Sequence, residues 1–170
     1  MSVTDELNSF GKYLVTQSRA NLTRKGKKNT SRLYKSLDYE VKVNKNSFEF
    51  SFLMEDYGDF VDKGVKGAKS SLKAPTSPFR FGSGKGTKGG LTKGIDRWVR
   101  QKRIQFRKPN GRFMTYDSTA FLIRRSIFLT GLETTNFYTR PFNLGFKTLP
   151  DDLVEAYALE IDDLLDFSRK

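Results

Sequence analysis

The chain has 170 residues, 36% of them apolar, and 31 Lys and Arg against 19 Asp and Glu give it a formal net charge of +12. It has no cysteine and no histidine, which excludes disulfides, thiolate chemistry and the usual hydrolytic triads, and removes the commonest zinc ligand and general base. No apolar run approaches the ~18 residues of a membrane span, and the opening MSVTDELNSF lacks the basic start and apolar stretch expected of a secretory signal.

The charge is segregated along the chain. Arg19 to Ser36 holds seven basic residues and no acid. Lys63 to Arg112 holds fifteen basic residues against the single Asp96. Leu149 to Ser168 holds seven acids and no base. A basic middle and an acidic end suit nucleic acid as one partner, and a complementary copy or neighbour as another. A surface charged for solubility is the plainer alternative.

Taken in chain order, Val3, Leu7, Phe10 and Leu14 fall on one helical face, and Ser2 with Asp5 forms a capping pair. A first helix is predicted over 3–22, stopped near Gly26. Leu37, Tyr39, Val41 and Val43 then alternate with polar residues, as do Phe48, Phe50, Phe52 and Met54, with Asn44-Lys45-Asn46 between. This predicts a β-hairpin with one buried aromatic face. Tyr57, Phe60 and Val61 in YGDFVDKG predict a helical turn packed on the sheet and closed by Gly64.

Residues 65–94 hold Pro75, Pro78, seven glycines and many Ser, Thr and Lys. The expectation is an arm or lid that a partner orders. A short basic helix follows around IDRWVRQKRIQF, stopped by Lys108-Pro109-Asn110-Gly111, and another over 118–130, capped by Asp117 or Ser118 and ended by Gly131. Residues 134–146 read as extended chain. A last helix is predicted over 150–167, with Thr148 as its cap and Leu153, Tyr157, Ile161, Leu164 and Leu165 as its apolar stripe. The predicted class is α+β: a small antiparallel sheet with an aromatic hairpin, packed by N-terminal and C-terminal helices. Residues 1–64 and 113–170 form the compact core, and 65–112 a basic Gly/Lys-rich arm with a short helix.

GSGKGTKGG, residues 82–90, invites a nucleotide-binding reading and fails it. A phosphate loop needs Gly five residues before the Gly-Lys pair and a hydroxyl residue after it, but Phe79 and Gly86 stand there. Prolines upstream break the required strand and glycines downstream break the required helix. A flexible basic tether is expected, and no cofactor. Glu55, Asp56, Asp59 and Asp62 cluster in sequence, but capping and solvation explain them more simply than a metal. No catalytic residue is assigned. The cations of 63–112 interleave with Phe79, Phe81, Trp98, Phe106 and Phe113. This combination suits nonspecific, salt-sensitive contact with nucleic acid, with the rings otherwise anchoring the arm on a neighbouring subunit.

The order of long helix, aromatic hairpin, Tyr57-x-x-Phe60-Val61-Asp62-x-Gly64, then Arg140-Pro141-Phe142 and a final amphipathic helix resembles the tail-completion, or neck, proteins that join head to tail in tailed phages. The likeness covers roughly 3–65 and 134–167. Val65 stands where Thr is usual, Asp62 where Glu is usual, and about 75 residues intervene between the two motifs. The stretch FLIRRSIFLTGLETTNFYTRPF after a basic segment also looks like ring proteins of crAss-like phage tails. The resemblance implies a structural virion protein, not an enzyme, whose copies form a ring between portal and tail. Its partners would be its own copies, the portal and other neck or tail proteins, with transient nonspecific DNA contact and no membrane. Tyr57, Phe60, Val61, Asp62, Gly64, Phe79, Phe81, Trp98, Arg140, Pro141 and Phe142 would lie at subunit interfaces. Lys85, Lys88, Lys93, Arg97, Arg100, Lys102 and Arg103 would face DNA or pair with neighbouring acids. The competing expectation is a nonspecific nucleic-acid-binding accessory protein.

Overall fold

A computed structural model describes residues 2–27, 31–44, 47–83 and 90–168. Its elements are helix α1 (Val3–Arg24), α2 (Arg32–Ser36), strands β1 (Asp38–Asn44) and β2 (Ser47–Leu53), α3 (Gly58–Lys63), β3 (Val65–Lys66), α4 (Gly90–Gln101), α5 (Tyr116–Thr130), β4 (Gly131–Leu132), α6 (Thr139–Gly145) and α7 (Leu149–Ser168). The class is α+β, with two separate two-stranded antiparallel sheets, β1-β2 and β3-β4. No described helix is long and apolar enough to cross a membrane.

The chain divides into two compact units, 1–62 with 135–170, and 63–134. The first is built on α1. Ser2 accepts from the Asp5 amide while the Asp5 carboxylate accepts from the Ser2 amide, so two orphan donors of the helix start are satisfied reciprocally. These bonds, the one from the Ser2 backbone first, hold the Asp5 carboxyl below its usual range. Val3, Leu7, Phe10 and Leu14 pack with Leu149, Leu153 and Ala156 of α7 and with Val41, Phe50, Phe52 and Phe142. Further along α1, Val15 and Leu22 meet Leu33, Leu37 and Phe137. Gly11 is where helix and sheet come closest: a Cβ there would lie 2.3 Å from the Tyr39 ring. The hairpin forms, with Val41 opposite Phe50 and Tyr39 opposite Phe52, and β1 extends through Asn44, which pairs with Ser47 instead of lying in the turn. Its aromatic face is half-covered away from the turn, where Val41, Phe50 and Phe52 pack on the α1–α7 cluster, while Val43 and Phe48 by the turn are exposed.

Two expectations fail here. Residues 139–145 are helical, not extended, because Pro141 falls in the first turn of α6, where its missing N–H has no helical acceptor to serve. The stripe of α7 is covered only at its start. Leu149, Leu153 and Ala156 are buried, whereas Tyr157 and Ile161 are exposed, and the side chains of Leu164 and Leu165 lie outside the described residues.

The second unit corrects the expected arm. Residues 65–83 are pinned along their length. The Lys66 amide donates to Phe79 O at 2.8 Å, and the Phe81 amide to Lys66 O at 2.9 Å. The Ala68 amide donates to Phe128 O at 2.8 Å, and Thr134 N to Lys73 O at 3.1 Å. Ala74 and Ser77 are buried, and the Ser77 hydroxyl donates to Gly64 O at 2.7 Å. A polar stretch without an apolar run thus satisfies its backbone partly within itself and partly on the distant end of α5. The helix α4 starts at Gly90, five residues before Ile95, where the sequence predicts its start. It packs on α5, joined by the Arg124–Asp96 ion pair at 3.3 Å. The inserted unit therefore takes α5 and β4 with it. Its far boundary lies at Thr134 rather than at Arg112. Thr115 caps α5 in place of Asp117 or Ser118.

Candidate functional site

The two segments that carry the resemblance meet around one buried carboxylate. Asp62 is fully buried near the end of α3. Its Oδ1 accepts from the Tyr138 amide at 3.0 Å and the Thr139 amide at 3.3 Å, and its Oδ2 from the Thr139 hydroxyl. Its backbone carbonyl accepts from the amides of Thr135 and Asn136, both at 2.9 Å. The Thr135 hydroxyl donates to Val61 O at 2.6 Å. Asp62 therefore caps α6 from 77 positions away in sequence, where a negative charge also complements the helix dipole. No side chain next to α6 caps it.

That clamp sorts the expected interface residues. Gly58 and Asp62, four apart on α3, form its inward face, with Gly58 against Met54 and Leu33. Tyr57 and Phe60 consequently turn outward, 39% and 44% exposed. They are only partly covered, where the helical spacing predicts side chains packed on the sheet. Val61 is half-buried against the cluster of Leu33, Leu37 and Phe137. Gly64 is buried with φ of 70°, and a Cβ there would lie 2.6 Å from Leu132 O, so it closes a backbone turn rather than meeting a neighbour. Pro141 is buried, and Phe142 is half-buried, edge-on to Phe10 and stacked on Phe146. Arg140 is exposed.

In the second unit, Phe79 is half-buried with the Lys63 ammonium 6.0 Å from its ring centre, and Phe81 lies 6.1 Å from Phe128. Trp98 is half-buried on α4. Lys93, Arg97, Arg100, Lys102 and Arg103 are exposed, and Arg100 pairs with Asp117. Lys85 and Lys88, with most of the glycine-rich loop, lie outside the described residues. Of the acids weighed as a cluster, Glu55 pairs with Arg32 at 3.2 Å and Asp59 accepts from the Tyr138 phenol at 2.8 Å. Among the described residues no group of three or more Asp and Glu is placed to hold a metal ion.

No family model, curated protein or solved structure matches this chain. Its surfaces must be read from their own chemistry.

Sequence reasoning missed two features. The partners of Asp62 in Thr135-Asn136-Phe137-Tyr138-Thr139 were read as extended chain, although a polar cluster before Pro is itself a helix-start signal. The second is a tight hairpin over 106–114. Arg107 is bridged to Phe113, Lys108 N donates to Arg112 O, and Gly111 N donates to Lys108 O. Lys108-Pro109-Asn110-Gly111 was read only as a helix stop, yet it carries the Pro, Asn and Gly of a turn, and Gly111 has φ of 79°.

Proposed function

We propose that this chain is a structural virion protein that forms a ring in the neck or tail of a tailed phage, joining portal to tail around the DNA exit channel. The observation that carries the reading is the Asp62 clamp. It brings together the Tyr57–Gly64 segment and the Arg140–Phe142 segment, the two motifs of the resemblance, despite the inserted unit between them. Exposed Tyr57 and Phe60, and exposed Val154, Tyr157, Leu159 and Ile161 on α7, supply the apolar and aromatic surface that contacts between copies need. In this reading the protein is not an enzyme. It is made in the host cytoplasm and ends in the virion, with its own copies, the portal and other neck or tail proteins as partners. Immunogold labelling of purified tailed particles with antibody against this chain tests it. Label at the head–tail junction is expected. Particles that lack the chain while infectivity persists would overturn it.

A further inference from the structure

The hairpin over 106–114 presents a combination that neither the fold nor the ring requires. Between Asp96 and Asp117 the sequence has no acid and seven cations: Arg97, Arg100, Lys102, Arg103, Arg107, Lys108 and Arg112. Only Arg100 has an acidic partner among the described residues. The hairpin is rigidly built. Met114 N donates to Phe106 O at 2.7 Å, Gln105 Nε2 to Met114 O at 2.8 Å, and Phe106 N to the buried Thr119 hydroxyl at 3.2 Å. At its tip Arg112 N donates to Asn110 Oδ1. Arg107 and Phe113 stand directly opposite one another, so their side chains share one face. The Arg107 guanidinium lies 4.5 Å from the Phe113 ring centre. Phe113 is nevertheless 58% exposed, the highest value of any described aromatic side chain. One ring face is stacked on a cation and the rest of the ring is open to solvent.

We propose that this hairpin is a binding finger for single-stranded nucleic acid. Phosphates are held by Arg103, Arg107, Lys108 and Arg112, and an unpaired base stacks on the open side of Phe113, continuing the Arg107–Phe113 stack. An acidic protein surface would satisfy the cations but gives no use for a ring held outward by a guanidinium. A base uses both, because every base has a π-face and is attached to a phosphate. A duplex offers phosphates but hides its base faces, so the ring selects unpaired strands. The finger stands on its own hairpin and does not depend on the ring reading.

The test is fluorescence anisotropy of a labelled mixed-sequence single-stranded oligonucleotide with the full chain. Duplex DNA, heparin and polyglutamate serve as competitors. Affinity should fall linearly on a log–log plot against salt, and R107Q/K108Q/R112Q should reduce the slope by roughly two, at ~0.7 per phosphate contact. Phe113→Leu keeps an apolar side chain but removes the stackable ring. It should weaken oligonucleotide binding about tenfold while leaving heparin binding unchanged, and Phe113→Trp should restore it. Equal oligonucleotide affinity for Phe113→Leu and the parent chain would overturn the proposal. So would tighter binding of polyglutamate than of the oligonucleotide, which would assign the finger to an acidic protein instead.

Discussion

The phenol of Tyr138 donates to Oδ1 of Asp59 at 2.8 Å, tying the residue before α6 to α3. Burial first, then this bond, pushes the Tyr138 pKa up from its ordinary 10.0. The folded chain thus keeps a proton that the unfolded chain releases. The contribution is intact below the unfolded value and declines as pH rises past it. Denaturant titrations should show stability falling above about pH 10. Tyr138→Phe should lose about 1 kcal/mol at neutral pH and show a shallower alkaline decline. An identical decline in both proteins would refute this assignment.

Asp62→Ala strips the acceptors from two backbone amides and a hydroxyl inside a buried site. It should cost about 3 kcal/mol, the order of cost for breaking a charged, buried network. Asp62→Asn, which keeps one acceptor, should cost less. Urea unfolding of both variants checks the order. Substituting the expected interface residue Asp62 should also fail to move self-association unless folding is lost.

The Ser18 hydroxyl on α1 is buried with no hydrogen-bond partner among the described residues. Desolvating it gains nothing in return. Ser18→Ala removes that cost and adds helix propensity, so it should stabilise the chain by about 1 kcal/mol. A fall in melting temperature would count against the unpaired hydroxyl.

Gly11→Ala sets two effects against each other. Ala favours the helix by about 1 kcal/mol, but its Cβ would stand 2.3 Å from the Tyr39 ring, in a packed contact. Overpacking of this kind costs about 1–3 kcal/mol, so net destabilisation is expected. Gly11→Ala combined with Tyr39→Val should recover most of the loss in thermal melts.

Tyr57→Ser with Phe60→Ser should lower the monomer's melting temperature but leave it folded, since each side chain is more than half covered, at 39% and 44% exposure. If copies meet through this surface, sedimentation should show weaker self-association by tenfold or more, in line with the energies of aromatic anchors at interfaces. Unaltered association would move the contact elsewhere.

The hairpin and the first helix were legible because their signals are local. Strict alternation over β1 and β2, and the Ser2–Asp5 pair, depend on residues a few positions apart. The misread parts depend on distant partners. Residues 134–146 look extended until Asp62 supplies the missing cap, and YGDFVDKG looks inward at Tyr57 and Phe60 until Gly58 shows which side allows close packing. Residues 65–83 have a loop's composition, yet their amides find carbonyls in one another and at the end of α5, contacts that carry no hydrophobic period. The basic helix forms over Gly90–Gln101, and Lys93, Arg97, Arg100, Lys102 and Arg103 are exposed. The hairpin after them was hidden by reading KPNG as a stop instead of a turn.

In each unit the chain's two junction ends are already fastened together. Asp62 O accepts from the Thr135 amide in the first unit, while Val65 is paired with Leu132 in the second. A short glycine linker from Asp62 to Thr135 could therefore replace seventy-odd residues without rethreading any strand or helix, an excision confined to one position.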